Sequence, residues 1–362
     1  MNDLTIGQRI AEKRKKLGLS QEGLGEKTGV SRQAISKWEA DGAVPEIDKL
    51  IAMSKLFGVS VGWLLGVEEQ STDAQSGGLS EEQLKKGVNM IELVLAQKYE
   101  KKILPEKPEF YLKNLKTSTD MKEAVSDADV VIEAVPEKLD LKKAIYDQLD
   151  EYCKPDALIA SNTSSLPLPE IFPDFRKGNF CVAHFYNPPP ILPLVEIVKN
   201  DDADMEKIAW LRKVLEDCGK TVIVLNKFIE GFVINRLQTA SAREALYLVN
   251  EGVISAEDMN LATPASIGFK SVWQGSFQTM DFIGLDTVAH VYNLLYPKLC
   301  NDTVVPACVT DKVKEGKLGL KTGEGFAKYT PEEAQEANEK RVDRLLDQLK
   351  LWNKHYHGIE VE

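Results

Sequence analysis

The sequence predicts a multidomain protein, with a small all-α domain first, an α/β domain built on a mainly parallel sheet second, and another all-α domain third. Three observations predict this order. Short helical segments with capping residues occupy residues 1–68, apolar strand-like runs alternate with amphipathic helices over residues 79–226, and no strand pattern follows up to about residue 330. The chain has 362 residues and 43% hydrophobic content, which is enough for two or three globular cores.

The negative charge of the chain lies outside its first 70 residues. Residues 1–70 carry ten basic and ten acidic side chains, so the remainder carries the whole formal charge of −11. Affinity for nucleic acid must therefore come from the local placement of the N-terminal cations. The five cysteines form no CxxC pair, the start MNDLTIGQRI does not resemble a signal peptide, and no apolar run is long enough for a membrane span. We therefore expect a cytoplasmic protein with free, buried thiols.

Within the first domain, the segment LSQEGLGEKTGVSRQAISKWEADG predicts two short helices joined by a tight turn. Ser20 can cap the first of these helices, Gly29 can end it, and Ser31 can cap the next helix, which opens with Arg32. Two short helices joined in this way have helix-turn-helix geometry. A preceding helix and two helices after Pro45 complete a predicted five-helix core.

This segment resembles the lambda-repressor/Cro-type (XRE-like) helix-turn-helix family, whose pattern SxQELAxxxGVSxxxISxWExG it matches almost throughout. The resemblance implies double-stranded DNA as a partner, with Gln21 on a phosphate. The residues that it places towards the major groove are Ser31, Arg32, Gln33, Ser36 and Lys37. Gly23 and Gly25 depart from the family, and each costs a helix about 1 kcal/mol relative to alanine.

The α/β domain follows a predicted flexible linker, residues 69–78, which contains STDAQSGG. A helix is predicted over about 81–101. The strand-like runs are YLKNLKTST (111–119), DVVIEAV (129–135), ALIAS (157–161), NFCVAHFYN (179–187), LVEIV (194–198) and TVIVL (221–225). Helical segments over 227–330 and an amphipathic helical tail over 331–362 complete the chain. The tail carries an apolar stripe, which we expect to dock onto the same chain: Val342, Leu345, Leu346, Leu349 and Trp352.

Six collinear motifs occur in this second part: DADVVIEAVPEKLDLK, SNTSSL, HFYNPPPILPLVEIV, GFVINRL, MDFIGLDTV and LGLKTGEGF. Together they resemble the 3-hydroxyacyl-CoA dehydrogenase family, and in particular 3-hydroxybutyryl-CoA dehydrogenases. The resemblance implies a Rossmann-type NAD-binding domain and a helical C-terminal domain that forms a homodimer. It also implies an acyl-CoA substrate and the NAD-dependent oxidation of an (S)-3-hydroxyacyl-CoA to the 3-ketoacyl-CoA.

The same resemblance assigns roles to individual residues. It makes His184, in HFxNP, the catalytic base and pairs it with Glu196, twelve residues on. Removing hydride from a secondary alcohol requires a base on the hydroxyl proton, and a carboxylate on the far ring nitrogen supports the imidazolium that forms. Ser164 and Asn235 would bind the substrate oxygen, and Lys98 would lie near the CoA phosphates. The residues implied at the cofactor are Glu137, Lys142, Asn187 and Lys321.

No metal site is predicted, because no thiol or carboxylate pattern accompanies the histidine pair His355 and His357. A second expectation concerns the glycine-rich turn G-x-G-x-x-G, on which the cofactor pyrophosphate would rest. Gly23, Gly25 and Gly29 imitate its spacing but lie in the helix-turn-helix, without a strand before them.

The resemblance therefore resumes at about Leu79, after the first β-α-β unit, and the Rossmann-type domain is predicted to be incomplete. In the order 3-2-1-4-5-6 the first strand is central. Its loss would leave DVVIEAV with an open edge and YLKNLKTST without a neighbour.

Three interpretations remain open from the sequence. The chain could be a dehydrogenase with a DNA-binding head whose activity is impaired by the lost turn. It could be a transcriptional regulator that uses the dehydrogenase remnant as an acyl-CoA sensor or as a dimerisation platform. It could also be a non-functional gene fusion.

Overall fold

The computed structural model describes residues 5–43, 45, 47–57, 80–164, 166–171 and 173–357. It divides into two units, Met1–Leu79 and Ser80–Glu362. The described helices of the first unit are α1 (Ile6–Lys16), α2 (Gln21–Thr28), α3 (Arg32–Glu39) and α4 (Ile47–Phe57). The predicted fifth helix and the predicted linker lie outside the described residues.

The caps of α2 and α3 follow the sequence prediction. The Ser20 hydroxyl accepts a hydrogen bond from the amide of Gly23 at 2.9 Å, and the Ser31 hydroxyl accepts one from Ala34 at 3.2 Å. Gly29 ends α2 in the left-handed conformation, with φ of 68°. These bonds satisfy amides that a helix start leaves free, so the turn between the two helices is confirmed.

The two glycines of α2 differ in their surroundings. A Cβ atom on Gly25 would lie 2.6 Å from the carbonyl oxygen of Val30, whereas one on Gly23 would approach nothing closer than 3.4 Å. Gly25 therefore lets the turn pack directly against the helix, and its departure from the family pattern has a packing reason. Gly23 has no such packing reason.

In the second unit, the elements that build the α/β domain run from residue 81 to residue 225. They are α5 (Glu81–Glu100), α6 (Pro108–Leu112), α7 (Met121–Val125), β1 (Val130–Glu133), α8 (Leu139–Tyr152), β2 (Leu158–Ser161), α9 (Leu168–Ile171), a 3₁₀ segment (Asp174–Asn179), β3 (Phe180–Phe185), β4 (Leu194–Lys199), α10 (Met205–Asp217) and β5 (Thr221–Leu225).

The five strands form one sheet in the order β1-β2-β3-β4-β5, and every neighbouring pair is parallel except β3 and β4. Alternate strand residues point to opposite faces. One face packs against α8 through Ile145, Tyr146 and Leu149, and the other packs against α10 through Ile208 and its neighbours. The predicted mainly parallel sheet between helical layers is confirmed.

The strand predicted for YLKNLKTST is wrong. Tyr111 and Leu112 belong to α6, and the following residues up to Asp120 form turns and irregular backbone. Among the described strands β1 pairs with β2 alone, and Ile132 on this edge strand is 42% exposed. A strand needs a neighbour for its backbone hydrogen bonds, and the described part of the sheet offers YLKNLKTST none.

The rest of the second unit is helical apart from isolated bridges near residues 319–328, as predicted. Its elements are α11 (Ile234–Asn250), α12 (Ala256–Thr263), a π-helical turn (Pro264–Gly268), α13 (Phe269–Ser271), α14 (Ser276–Ile283), α15 (Leu285–Leu295), two 3₁₀ turns (Tyr296–Lys298 and Leu320–Thr322), α16 (Ala307–Lys314) and α17 (Pro331–Tyr356). Leu346 and Leu349 of α17 pack with Ile191, so the tail docks onto its own chain as expected.

Few side chains of the C-terminal helices are buried. In the fully described stretch 234–329, only Val288 and Cys300 are buried. The helices of this stretch therefore lack a core of their own. The expectation that all five thiols are buried is wrong for Cys218, which is exposed just after α10, and for Cys308, which is half-buried on α16; all five cysteines are free as predicted.

Candidate active site and DNA-reading helix

The candidate base and its carboxylate face each other across two strands. His184 of β3 and Glu196 of β4 are directly opposite in the antiparallel register, and His184 Nδ1 lies 2.9 Å from Glu196 Oε2. Both side chains are buried. The spacing of twelve residues in the sequence thus spans the end of β3, the β3–β4 connection and the start of β4, and the antiparallel pairing brings the two side chains together.

The second oxygen of Glu196 is held by the start of α11. Glu196 Oε1 accepts hydrogen bonds from the amides of Val233 at 3.0 Å and Ile234 at 3.1 Å. Burial by itself would raise the pKa of Glu196, but the hydrogen bonds from His184 and from these two amides outweigh it and lower the pKa. An ionised carboxylate only accepts, so His184 Nδ1 carries the proton and Nε2 is free to accept another.

A tight turn aims those amides at Glu196. Gly231 and Phe232 have φ of 74° and 52°, so the chain reverses in the left-handed region just before α11. The Phe232 ring then lies 5.3 Å from the His184 ring and is itself buried. A non-glycine residue at positive φ costs conformational energy. Phe232 adopts this conformation where the chain turns to bring the amides of Val233 and Ile234 to Glu196.

Tyr186 packs beside His184 and was not predicted as a site residue. Its ring lies 6.0 Å from the His184 ring, and its hydroxyl donates a hydrogen bond to the side chain of Gln238 on α11. Burial, followed by the negative charge of Glu196, raises the pKa of Tyr186. Its position in the HFYN motif, two residues after His184, was the available signal.

Three other predicted residues follow the carboxyl ends of β1, β2 and β3, which point to one edge of the sheet because these strands are parallel. Glu137 follows β1, Ser164 follows β2 and Asn187 follows β3, and all three are exposed. Glu137 Oε1 accepts a hydrogen bond from the Ser164 amide at 3.0 Å. Asn235 lies in the first turn of α11, beside Ile234.

Lys142 is placed differently from the other predicted cofactor residues. It is 1% exposed, and its ammonium group lies 2.8 Å and 3.0 Å from the two carboxylate oxygens of Glu133. Tyr146 and Ser161 also bond this carboxylate. Glu133, Tyr146 and Ser161 were not predicted as site residues; the available signal was a carboxylate within the apolar run VVIEAV.

The two remaining predicted residues, Lys321 and Lys98, lie on other elements of the second unit. Lys321 is exposed on the 3₁₀ turn Leu320–Thr322. Lys98 lies near the end of α5, and burial lowers its pKa. Burial, and then the charge of Lys98, lowers the pKa of Lys220 to about 8. Lys220 donates to the carbonyls of Pro189 and Leu192, in the connection after Asn187.

In the first unit, α3 has one buried face and one exposed face. Ile35 and Trp38 are buried, and the predicted base-reading side chains of α3 lie on the exposed side: Arg32, Gln33, Ser36 and Lys37. The Ser31 hydroxyl caps this helix.

Gln21 is held by contacts within the protein. Its side-chain amide donates to Glu39 Oε2 at 2.9 Å, and Glu39 pairs with Arg14 at 2.5 Å. These bonds fix the start of α2 against the end of α3.

Family profiles match three consecutive parts of the chain. One described as helix-turn-helix matches residues 10–64, one described as 3-hydroxyacyl-CoA dehydrogenase, NAD binding domain, matches residues 66–228, and one described as 3-hydroxyacyl-CoA dehydrogenase, C-terminal domain, matches residues 231–329. A Deinococcus radiodurans protein named "Probable 3-hydroxybutyryl-CoA dehydrogenase" is 33% identical over 281 residues, which cover 75% of this chain and 99% of that protein. The chain belongs to the 3-hydroxyacyl-CoA dehydrogenase family.

The chain is also similar to a dehydrogenase with a different name. The 5-formyl-3-hydroxy-2-methylpyridine 4-carboxylate 5-dehydrogenase of Mesorhizobium japonicum is 34% identical over 232 residues, or 63% of this chain and 74% of that protein. A solved structure of an enzyme of that name, an NAD+ dependent dismutase, superposes with a TM-score of 0.69 at 28% identity, covering 79% of this chain and 94% of the other.

These matches confirm both resemblances. The helix-turn-helix domain implies DNA binding, and the NAD-binding domain implies NAD as cofactor. The match to the NAD-binding domain begins at residue 66, earlier than residue 79, where the sequence analysis places its start; the residues between lie outside the described part. In the part that the structure describes, no helix has the length and apolar content to cross a membrane.

The described residues offer part of a site for NAD. Glu137 and Asn187 supply polar groups at the carboxyl ends of β1 and β3, the edge at which sheets of this kind bind nucleotides. The connection between β1 and α8 is AVPEK and contains no glycine. Within the described residues, no strand leads through a glycine-rich turn into a helix that could hold the pyrophosphate.

Proposed function

We propose that this chain is a DNA-binding protein fused to a 3-hydroxyacyl-CoA dehydrogenase-type module. The reaction of that module is the reversible oxidation of an (S)-3-hydroxyacyl-CoA to the 3-ketoacyl-CoA. The observation that carries this proposal is the buried His184–Glu196 pair, with a distance of 2.9 Å and with Glu196 held by two backbone amides. A histidine whose ring is oriented by a buried carboxylate is the arrangement that general-base catalysis uses.

In the proposed mechanism, His184 Nε2 removes the proton from the substrate hydroxyl. Glu196 stabilises the imidazolium as it forms and keeps the ring in the required tautomer. Ser164 and Asn235 hold the substrate oxygen, and Glu137 and Asn187 position the nicotinamide side. The cofactor that Glu137 and Asn187 would hold is NAD, which would supply the acceptor for the hydride from the carbinol carbon. Lys98 and Lys321 remain candidates for the CoA phosphates and the cofactor.

We further infer that NAD binds weakly and that turnover is impaired. The support is that the described residues contain no glycine-rich turn for the pyrophosphate, and that β1 is an edge strand. Losing the diphosphate and ribose contacts removes charge-assisted hydrogen bonds, which are among the strongest that a nucleotide makes.

Calorimetric titration of the full chain with NADH tests the cofactor part. We expect no saturation in the micromolar range; micromolar binding would contradict the weak-binding proposal and imply a phosphate site that the described residues do not contain. Reduction of acetoacetyl-CoA at millimolar NADH tests the catalytic part. His184→Asn should abolish any residual rate, and Lys213→Met, on the exposed face of α10, should leave it unchanged.

A gel shift tests the DNA-binding part. Arg and Gln side chains read guanine and adenine edges through paired hydrogen bonds, so Arg32→Ala and Gln33→Ala should each reduce the preference for a selected operator over random DNA by about ten-fold or more. Lys27→Ala, at the exposed end of α2, serves as a control that leaves the preference unchanged. Equal selectivity in all variants would exclude α3 as the recognition helix.

A second candidate function is a transcriptional regulator that uses the dehydrogenase part as an acyl-CoA sensor and a homodimerisation platform. It is favoured by the apolar side chains that the C-terminal helices expose. Phe269, Phe277 and Phe282 are 73%, 81% and 76% exposed. Large apolar side chains exposed to this degree are typical of an interface between subunits. A symmetric dimer would pair two DNA-reading heads for a palindromic site.

A further inference from the structure

The strand that carries His184 extends beyond its pairing with β2. The parallel register of β2 and β3 ends where Ser161 lies opposite Val182, whereas the pairing of β3 with β4 continues to Phe185. In the described sheet, His184 therefore has a neighbouring strand on one side only. A peptide group that points to the other side needs another acceptor for its N–H, because an unpaired amide away from water costs free energy.

The side chain of Asn162 supplies that acceptor. Amides alternate in direction along a strand, and the amide of Tyr186 donates to the carbonyl oxygen of Leu194, on the β4 side. The amide of Phe185 consequently points to the β2 side, where it donates to Asn162 Oδ1 at 2.9 Å. A backbone N–H only donates, so the oxygen of the asparagine side chain is the atom that faces it.

Asn162 is itself fixed by the neighbouring strand β1. It directly follows β2 in the chain, it is half-buried, and its backbone amide donates to the carbonyl oxygen of Glu133 at 2.7 Å. The asparagine thus joins the carboxyl ends of β1 and β2 to the end of β3, at the residue after the candidate base.

The peptide group that Asn162 holds is the one that joins His184 to Phe185. Because a peptide group is planar, fixing its N–H restricts the backbone rotation ψ of His184, and with it the direction in which the ring leaves the strand. The ring has to meet Glu196 Oε2 at 2.9 Å, and Glu196 is already held by two amides at the start of α11. With the carboxylate fixed, the bond depends on how firmly the end of β3 is held.

We propose that Asn162 is a positioning residue for His184, which holds the end of β3 so that the imidazole keeps its bond to Glu196. The motif SNTSSL then contributes two residues to the site, since the resemblance assigns Ser164 to the substrate oxygen. The role of His184 as the base rests on the proposed function; the coupling of Asn162 to the imidazole does not.

Nitrogen-15 NMR of the histidines in the ligand-free full chain tests the coupling. The chain has four histidines, and His184→Asn identifies the signal of His184. The measured quantity is the rate at which the Nδ1 proton exchanges with water, which a bond to a buried carboxylate slows. Asn162→Leu keeps the approximate size of the side chain and removes the acceptor, so we expect this exchange to become at least ten-fold faster. An unchanged rate would overturn the proposal.

Two further variants separate positioning from a general loss of stability. Asn162→Asp retains an acceptor oxygen and should keep the exchange rate within about two-fold of the wild type. Asn179→Leu is the matched control: this asparagine immediately precedes β3, at the end of the strand away from His184, and donates to the carbonyl oxygen of Pro155 at 3.0 Å. It should leave the rate unchanged. Acceleration in either variant equal to that in Asn162→Leu would count against the proposal.

A milder variant keeps the test decisive should Asn162→Leu fail to fold. Asn162→Ala leaves space in which water can bond the Phe185 amide, so it disturbs the strand less. It should still accelerate exchange of the Nδ1 proton by about three-fold. No acceleration in Asn162→Ala would then overturn the proposal.

Reduction of acetoacetyl-CoA at millimolar NADH extends the test to the chemistry. Because Asn162 acts on the base and not on the substrate, Asn162→Leu should lower kcat about ten-fold and change KM by less than two-fold, and Asn162→Asp should recover most of kcat. A raised KM with kcat unchanged would mean that Asn162 binds the substrate, against the proposal. If the wild-type chain shows no turnover at all, the catalytic part of the proposed function fails, while the NMR result still decides the coupling.

Discussion

At the scale of single residues, Glu196 links the stability of the sheet to the candidate chemistry. Its pKa is lowered because hydrogen bonds from His184 and two amides outweigh the effect of burial. A carboxyl group whose pKa is lower in the folded than in the unfolded state adds stability above its ordinary value of 4.5, and this contribution is lost as the pH falls through the lower, folded-state value.

We therefore expect Glu196→Gln to lower the free energy of unfolding at pH 7 by about 1–3 kcal/mol. The difference from the wild type should shrink as the pH falls below 4.5, because the wild type then loses the same charge. Urea unfolding followed by amide exchange of the buried strand β4 measures it. Glu216→Gln, which removes only an exposed pair with Arg212 at 2.8 Å, should change stability by less than about 0.5 kcal/mol. A pH-independent difference for Glu196→Gln would contradict this account.

Lys220 provides a second measurement at this scale. Its pKa of about 8 is set first by burial and then by the charge of Lys98. Lys220 should therefore be half neutral, and hence reactive with acetic anhydride, at about pH 8, whereas a lysine in a model peptide titrates near 10.4. Lys98→Met should raise the midpoint, and Lys213→Met should leave it unchanged. A labelling midpoint above 10, measured by mass spectrometry, would show that Lys220 is not desolvated.

The residues of the candidate site divide by what a sequence can reveal. His184 and Glu196 could be paired in advance because their motif fixes a spacing that the β3–β4 hairpin turns into direct opposition. The ion pair of Lys142 with Glu133 could not be predicted, because Glu133 comes from another element and only burial shows that the ammonium group is enclosed. Spacing along one hairpin is a local property, whereas enclosure depends on how α8 packs on the sheet.

At the scale of elements, α2 contains a matched pair of substitutions. Gly23→Ala should stabilise the N-terminal unit by about 0.5–1 kcal/mol, since the added Cβ meets nothing closer than 3.4 Å and alanine favours the helix. Gly25→Ala should destabilise it, because the Cβ would lie 2.6 Å from the Val30 carbonyl oxygen. Amide exchange of the buried part of α1 measures both effects, and shifts of the same sign would refute the distinction.

The elements also show where local pattern fails. The helix starts at Ser20 and Ser31 were predicted correctly because a cap is a contact between residues three apart. The strand predicted for YLKNLKTST was wrong, although its tyrosine and threonines are residues that favour strands. An edge position requires a neighbouring strand, and the described part of the sheet ends at β1. Strand formation therefore depended on residues far from the segment itself.

At the scale of the whole molecule, the C-terminal helices raise the question of what covers their apolar side chains. In the stretch 234–329, two residues are buried, while Phe277 and Phe282 of α14 are 81% and 76% exposed. Burying such side chains contributes about 25 cal/mol per Å² of apolar surface, which gives association a strong driving force. We therefore expect a homodimer, with a mass close to twice 40.3 kDa by light scattering at micromolar concentration.

The dimer prediction has a matched pair of variants and a consequence for DNA binding. Phe277→Glu with Phe282→Glu should shift the mass towards that of one chain, whereas Phe110→Glu, a phenylalanine that is 48% exposed on α6, should leave the dimer intact. Because two linked heads bind a palindrome with a higher effective concentration than one, the dissociated variant should lose affinity for paired half-sites and keep its affinity for a single half-site. A wild-type chain that is monomeric, or a double variant that still dimerises, would show that these helices meet some other partner.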